Sequence, residues 1–208
     1  TYYVYDQAAR RMETFASPYE QLVDYHFAPV RPVRYRSRDG VDIPAYLALP
    51  PGRPERGLPL VVLPHGGPFL RDSWDFNPEV QFLVSRGYAV LQPNFRGSTG
   101  YGRTYVERGY GQLGGRMIDD IDDGVDWLAG QGIVDPARVC IMGSSYGGYA
   151  AIWGAMRSPQ RYRCAISLAG PTDLRRMLSY DVRFMIARRY AGEWRRGVQG
   201  EERDDLDA

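Results

Sequence analysis

A glycine-flanked serine turn is the strongest chemical signal in this 208-residue sequence. The segment Gly143-Ser144-Ser145-Tyr146-Gly147-Gly148 lies between a predicted strand and a predicted helix. This is the context of a nucleophile elbow, a turn so tight that the residues two before and two after the nucleophile must be small. Gly143 and Gly147 meet that demand around Ser145, whereas Ser144 has no such flanks. We therefore predict that Ser145 is the nucleophile of an acyl-transfer reaction, and that the helix N-terminus faces the developing oxyanion.

A second glycine motif follows the predicted strand 60–63. The segment His65-Gly66-Gly67-Pro68 is similar to loops that donate a backbone N–H to an oxyanion, because glycines let the backbone approach the substrate carbonyl closely. We predict that the N–H groups of Gly67 and Tyr146 are the two oxyanion donors. His65 lies within this loop, and we expect it to hold the loop by hydrogen bonds instead of acting as the catalytic base.

The elements that must position these residues read as an α/β domain. Continuous apolar runs typical of buried parallel strands alternate with helical segments. The predicted strands are 60–63, 88–91, 139–142 and 164–168, and the predicted helices are 77–86, 114–130, 146–156 and 174–190. Before them we predict a hairpin of residues 2–5 and 12–15, a linker over 16–29, and a second hairpin of residues 33–37 and 41–49. Residues 197–208 form a polar tail without a hydrophobic period.

Composition excludes several classes of function. The chain carries 26 basic and 25 acidic residues, which gives a formal net charge of +1. This balance provides no electrostatic reason to expect binding to nucleic acid or to an anionic membrane. Every basic residue is an arginine, which excludes a P-loop lysine and a Schiff-base lysine. No apolar run reaches the roughly 18 residues of a membrane helix. The two cysteines, Cys140 and Cys164, are expected to be reduced, buried thiols of a cytoplasmic protein.

Two further segments could suggest ligand sites. Five aspartates of the helix 114–130 could hold a metal: Asp119, Asp120, Asp122, Asp123 and Asp126. An apolar stripe occupies one side of that helix, and all of these aspartates except Asp120 take the opposite side. We therefore interpret the cluster as a solvated face and predict no metal. The glycine-rich segment 94–102 does not match a dinucleotide fingerprint, because its glycines come in the reverse order. We expect it to be a structural or substrate-edge loop, and we predict no cofactor.

Taken together, these motifs resemble the prolyl oligopeptidase family of serine peptidases, and especially its acylaminoacyl-peptidase and dipeptidyl-peptidase-like branch. The resemblance covers residues 30–180 and rests on the motif 65–68 with Arg71-Asp72 and Trp74, and on the segments 94–102, 135–138 and 143–148. It implies an incomplete α/β-hydrolase catalytic domain over residues 26–208, which stops before the last strands of the sheet. It also implies that residues 1–25 are the trailing hairpin and linker of an upstream β-propeller. The implied substrate is a short peptide, and self-association of the protein is left open.

The sequence departs from that family in its catalytic triad. In this fold the triad order along the chain is Ser, then Asp, then His, and no histidine follows Ser145. Asp173 comes too early, and the aspartates at 204, 205 and 207 lie in the polar tail. We therefore expect the triad Asp and His to lie outside this chain, as part of a longer peptidase, so that the segment alone is inactive. A carboxylesterase of the same fold and a catalytically dead interaction module are the alternatives.

Overall fold

Eight strands and six α-helices make up the described part of the chain. The computed structural model describes residues 2–16, 19–22, 24–184 and 188–200. The strands are β1 (Tyr2–Asp6), β2 (Arg11–Ala16), β3 (Val30–Arg36), β4 (Asp42–Ala48), β5 (Leu58–Val62), β6 (Ala89–Pro93), β7 (Val134–Ser144) and β8 (Cys164–Leu168). The α-helices are α1 (Pro78–Ser85), α2 (Arg103–Glu107), α3 (Arg116–Gly130), α4 (Tyr146–Arg157), α5 (Leu174–Phe184) and α6 (Arg188–Gln199). A 3₁₀ turn occupies Glu20–Leu22.

The central sheet has six strands in the order β3-β4-β6-β5-β7-β8. Strands β6, β5, β7 and β8 run parallel, whereas β3 and β4 add an antiparallel hairpin at one edge. The predicted mostly parallel sheet with intervening helices is therefore confirmed. Because the carboxyl ends of parallel strands lie at one edge of the sheet, the loops after β5, β6, β7 and β8 gather there.

Each predicted strand and helix has a counterpart in the structure, although some of the bounds differ by several residues. Predicted helix 174–190 coincides with α5 and the start of α6, and its residues 185–187 lie outside the described part. Helix α6 continues to Gln199, so the predicted tail is wrong for residues 197–199, and residues 201–208 are not described. The short helix α2 had no predicted counterpart. The linker prediction holds for its described residues apart from the 3₁₀ turn and Ala16, which ends β2.

The acidic face of α3 is not solvated, which corrects the sequence interpretation. The apolar stripe is buried as predicted, with Ile118, Ile121 and Leu128 inaccessible. Four of the five aspartates are also buried, however, at 0–8% exposure, and only the side chain of Asp126 stays in solvent: the buried ones are Asp119, Asp120, Asp122 and Asp123. Arginines from three other segments pair with these carboxylates, namely the β3–β4 turn, the loop after β6, and the end of α4 with the residues that follow it: Arg38, Arg96, Arg157 and Arg161. Paired and hydrogen-bonded carboxylates can be buried without a large penalty.

The two cysteines form a disulfide, so the prediction of reduced thiols is wrong. Cys140 on β7 and Cys164 on β8 are register partners in adjacent parallel strands, with their Cα atoms 4.7 Å apart. That Cα separation falls within the range a disulfide needs. The expectation of a cytoplasmic protein depended partly on reduced thiols, and the disulfide removes that support.

Strands β1 and β2 form a separate two-stranded antiparallel sheet, as predicted for the first hairpin. Its aromatic side chains are largely exposed, from 57% for Tyr5 to 75% for Phe15. Every helix in the described ranges is too short or too polar to serve as a membrane span.

Candidate active site

Ser145 occupies a strained turn at the junction of β7 and α4. Its backbone dihedrals are φ 55° and ψ −122°, and Ser145 is one of three non-glycine residues with positive φ in the described chain. Such a conformation costs of order 1–3 kcal/mol and persists only where the surroundings enforce it. Ser145 is exposed and its side chain does not cap α4. The strand-turn-helix context expected of a nucleophile elbow is therefore present.

Close backbone contacts enforce this turn. A β-carbon on Gly143 would lie 2.5 Å from the carbonyl carbon and oxygen of Gly147. One on Gly147 would in turn overlap the carbonyl oxygen of Pro64 in the loop after β5. Neither contact can be relieved by moving a side chain, because the opposing atoms belong to the backbone. The two glycines around Ser145 are thus required by the packing of the first turn of α4.

Gly148, the glycine that follows Gly147, packs against a different loop. A β-carbon on Gly148 would lie 2.9 Å from Cα of Gly170, in the loop after β8. Ala169 in that loop also has positive φ, at 51°. The start of α4 is therefore held between the loop after β5 on one side and the loop after β8 on the other.

The loop after β5 carries the predicted oxyanion glycine to the same place. Gly66 packs against the elbow, because a β-carbon there would lie 3.3 Å from the carbonyl oxygen of Ser144 and 3.5 Å from Cβ of Ser145. Gly67 has φ 124°, and a β-carbon on it would lie 2.7 Å from the backbone nitrogen of Phe69, so the turn accepts only glycine. Gly67 and Ser145 line one cleft. Tyr146 begins α4, so no carbonyl of its own helix accepts from its N–H.

His65 is buried and fully engaged, which confirms its predicted structural role. Nδ1 lies 2.7 Å from the carbonyl oxygen of Gly66, and Nε2 lies 2.8 Å from Oγ of Ser98. A carbonyl can only accept, so Nδ1 carries the proton. The Ser98 hydroxyl also lies 2.6 Å from the carbonyl oxygen of Phe95, so its one hydrogen is shared between that carbonyl and Nε2. The ring stacks on Phe95 at 4.3 Å between centroids. Burial lowers the pKa of His65 to about 4, so the ring is neutral at neutral pH.

The segment 94–98 is the structural loop that supports His65. Asn94, Phe95, Arg96 and Ser98 are all buried at 5% exposure or less. Arg96 makes bidentate hydrogen bonds to Asp120 of α3, at 2.7 and 2.8 Å, and to Asp39 of the β3–β4 turn, at 2.7 and 2.9 Å.

Charge keeps this loop network intact. Burial alone would lower the pKa of Arg96, but its two carboxylate partners raise that pKa above the ordinary value. The hydrogen bond from Arg96 lowers the pKa of Asp39 to about 2. The guanidinium therefore stays charged, and it ties the loop that contacts His65 to α3.

A cleft of about 700 Å³ opens over Ser145. Its lining combines the elbow, the loop after β5, the loop after β8 and the two helices α5 and α6: Gly67, Ser145, Ala169, Gly170, Pro171, Met177, Tyr180, Asp181 and Trp194. A volume of this size suits a small ligand or a few residues of a peptide. Among the described residues, no group of three or more His, Cys, Asp or Glu is arranged to hold a metal ion.

Sequence reasoning missed the contribution of α5 and α6 to this cleft. Met177, Tyr180 and Asp181 lie on one face of α5 because they are three and four residues apart, and α6 adds Trp194. The spacing on α5 is visible in the sequence, but nothing there indicates that this face turns toward Ser145. Asp173 caps the first turn of α5, where its Oδ1 accepts from the backbone N–H of Arg176 at 2.9 Å.

Comparison with known proteins places the chain in a family. Residues 74–206 match the Prolyl oligopeptidase family. The chain is 40% identical over 185 residues to the dipeptidyl aminopeptidase BIII of Pseudoxanthomonas mexicana, a match that covers 86% of this chain and 27% of that protein. It is 32% identical over 147 residues to the acylamino-acid-releasing enzyme of Sus scrofa, which covers 65% of this chain and 20% of that enzyme.

Among solved structures, a puromycin-hydrolyzing peptidase of Mycobacterium tuberculosis superposes with a TM-score of 0.79 at 28% identity. The match covers 98% of this chain and 31% of that peptidase. The predicted α/β-hydrolase fold and the predicted family resemblance are both confirmed. The chain spans about a quarter of the length of the two curated relatives above.

Proposed function

The chain belongs to the prolyl oligopeptidase family, and on that premise we propose that it supplies the nucleophile and oxyanion hole of a serine peptidase acting on short peptides. The observation that carries the proposal is the strained, exposed Ser145, framed by glycines and sharing a cleft with Gly67. The relatives named as a dipeptidyl aminopeptidase and an acylamino-acid-releasing enzyme support an aminopeptidase or acylaminoacyl-peptidase type of activity.

The proposed mechanism is acyl transfer in two halves. Oγ of Ser145 attacks the peptide carbonyl carbon while a histidine takes its proton, and the carbonyl oxygen becomes an oxyanion. The N–H groups of Gly67 and Tyr146 donate to that oxyanion, where each donor contributes about 3 kcal/mol of transition-state stabilisation. Collapse of the intermediate breaks the C–N bond, and the histidine returns the proton to the leaving amine. Water then hydrolyses the acyl-Ser145 ester by the same steps.

The base and its orienting acid are assigned to residues outside these 208. His65 is a poor candidate, since burial lowers its pKa to about 4 and makes it a weak base, and both ring nitrogens are already engaged. His26 is the other histidine, and it lies far before Ser145 on an exposed segment. Strand β8 supports a sheet that continues, because Ile166 and Leu168 on this edge strand are about half exposed and would be covered by a further strand. By the same proposal, this segment alone is inactive.

The same proposal divides the chain near residue 25. The β1–β2 hairpin forms no hydrogen-bonded pair with the six-stranded sheet. A lone hairpin is marginally stable in water, so exposed aromatic side chains on both of its strands favour a neighbouring sheet that covers them. We assign residues 1–25 to the end of a preceding β-propeller and residues 26–208 to an incomplete catalytic domain.

Fluorophosphonate labelling of the full-length protein tests the nucleophile. Ser145→Ala should abolish labelling and lower the hydrolysis of an aminoacyl-arylamide by about a million-fold, because attack by serine carries the first half of the reaction. Ser144→Ala is the matched control, since this neighbour is equally exposed but does not stand between the two elbow glycines. Loss of labelling in Ser144→Ala with labelling retained in Ser145→Ala, or activity that survives Ser145→Ala, would overturn the assignment.

The substrate class is tested with three chromogenic substrates. A dipeptidyl-arylamide, an N-acetyl-aminoacyl-arylamide and a simple p-nitrophenyl ester separate aminopeptidase, acylaminoacyl-peptidase and carboxylesterase activities. We expect cleavage of at least one of the two arylamides. Hydrolysis of the ester alone would show the esterase alternative instead.

We also propose a cytoplasmic location, and the oxidation state of the two cysteines tests it. Disulfides are rare in the cytosol. Peptide mapping of protein taken from its native cells should therefore find Cys140 and Cys164 as thiols if the protein is cytoplasmic. Recovery of the linked peptide that the structure describes would argue for an oxidising compartment.

A further inference from the structure

One negatively charged side chain lies in the cleft over Ser145. Among the described residues that line this cleft, Asp181 is the only charged one. Apart from the Ser145 hydroxyl, the other side chains of the lining are apolar, aromatic or absent, as at Met177, Tyr180 and the glycines. A single carboxylate in such surroundings is poorly screened and attracts a cation more strongly than a carboxylate on an open surface does.

The carboxylate is held in place by α6. Nε1 of Trp194 donates a hydrogen bond of 3.2 Å to Oδ2 of Asp181, and Trp194 packs edge-on against Phe69 of the oxyanion loop. This hydrogen bond engages Oδ2 of Asp181, and the residue lines the cleft over Ser145. The indole and the ring of Tyr180 line the same cleft, and aromatic rings also attract cations.

We infer that Asp181 is a specificity-determining residue that binds a positively charged group of the substrate, an ammonium or a guanidinium. The inference rests on the proposed function, because it places that group beside the carbonyl that Ser145 attacks. Two substrate sources offer such a cation, a basic side chain next to the scissile bond or the free α-amino group of a short peptide. Two extended residues span at most about 7 Å, so either cation can share the cleft with the scissile carbonyl.

Asp181→Asn is the informative variant. The asparagine side-chain oxygen can still accept from Trp194, so the change removes the charge and keeps the hydrogen bond. Asp173→Asn is the matched control on the same helix, since Asp173 is a helix cap outside the cleft and asparagine caps equally well.

Four fluorogenic amides separate the two sources of the cation. They pair lysine or its neutral analogue norleucine before the scissile bond with a free or an acetylated N-terminus, and they are assayed on the full-length protein. We expect Asp181→Asn to lower kcat/KM about 10- to 100-fold for the cationic substrates relative to the doubly neutral one, the effect of removing a charged hydrogen-bond partner. A loss that follows lysine identifies the side chain as the cation, and a loss that follows the free amine identifies the N-terminus.

An unchanged ratio between charged and neutral substrates, or an equal loss on all four, overturns the inference. So does a wild-type protein that shows no preference for either cation. The fluorophosphonate labelling rate of Asp181→Asn checks that the elbow is intact. Failure of the proposed function is recognised separately, because it appears as hydrolysis that survives Ser145→Ala, whatever the charge preference.

Discussion

Replacing Asp120 with alanine should destabilise the domain far more than replacing its neighbour Asp126. Both aspartates belong to α3 and both pair with an arginine. Asp120 is inaccessible and faces Arg96, whose side chain is 6% exposed, whereas Asp126 is 59% exposed in its pair with Arg161. The two variants therefore compare a buried pair with a surface pair on one helix.

The size of the expected loss of stability follows from the hydrogen-bond donors of Arg96 that the Asp120 carboxylate pairs with. Its carboxylate accepts two hydrogen bonds from the Arg96 guanidinium and one from the Arg96 backbone N–H, at 2.7–2.9 Å. Removing one partner of a buried pair leaves an uncompensated charge and costs about 3–5 kcal/mol. Asp39 still neutralises part of that charge, so we expect the lower end of this range. An exposed pair such as Asp126–Arg161 is worth at most about 1 kcal/mol.

Hydrogen exchange followed by mass spectrometry is the appropriate assay, because it reads the stability of α3 inside a longer protein and does not depend on activity. A loss of about 3 kcal/mol corresponds to a roughly 150-fold fall in amide protection, at 1.36 kcal/mol for each factor of ten. Peptides from residues 116–130 should show this fall in Asp120→Ala and less than about fivefold in Asp126→Ala.

A double-mutant cycle with Arg96→Ala then isolates the pair. If the charge left on Arg96 causes most of the loss, removing Arg96 as well should recover part of the protection. Equal falls in Asp120→Ala and Asp126→Ala, or a fall below tenfold in Asp120→Ala, would refute the argument from buried charge.

Two further predictions concern the site and its supporting loop. Gly147→Ala should abolish fluorophosphonate labelling, because its β-carbon would overlap the carbonyl oxygen of Pro64. The control is Gly154→Ala in the same helix, whose β-carbon meets nothing closer than 3.6 Å and which should raise the free energy of unfolding by about 0.5–1 kcal/mol. Wild-type labelling in Gly147→Ala would contradict the steric account. Burial raises the pKa of Asp72 to about 6, and its Oδ2 has no partner in the described residues, so the wild type should lose stability relative to Asp72→Asn as pH rises from 4 to 6. Thermal unfolding at pH 4, 6 and 8 checks this: the Tm of Asp72→Asn should exceed that of the wild type at pH 8 by more than at pH 4, and a constant difference would count against it.

The geometry of the serine turn and of the glycine loop after β5 could be predicted because their constraints are local. A nucleophile turn needs small residues at fixed positions around Ser145, and Gly67 needs a backbone conformation that only glycine adopts readily. Each constraint involves only a few consecutive residues that follow an apolar run, so it can be recognised in the sequence. The buried strands β5 and β6 could be predicted as well, since continuous apolar runs such as 60–63 are typical of a parallel sheet covered on both faces.

The features that were missed depend on contacts distant in sequence. A helical wheel separates the polar from the apolar side of α3, but it cannot show that arginines of other elements cover the polar side. The disulfide likewise depends on the register between β7 and β8, which places Cys140 opposite Cys164. That Asp181 lines the same cleft as Ser145 depends on how α5 packs in the fold, and no local pattern in the sequence indicates that placement.

The site is positioned from two sides by different forces. Backbone contacts at Gly147 and Gly148 fix the start of α4, and a shift there moves Ser145 directly. The oxyanion loop is fixed through His65, which contacts Ser98 and so depends on the loop that Arg96 ties to Asp120.

The two supports should therefore fail differently. A clash at Gly147 removes the reactive geometry of the serine itself. Loss of the Asp120 carboxylate should instead loosen Gly67. In the proposed function Gly67 stabilises charge only as the transition state forms, so this loss should lower kcat more than it raises KM. The buried charges of α3 lie outside the cleft, yet through this chain of contacts they are part of what makes the proposed oxyanion hole rigid.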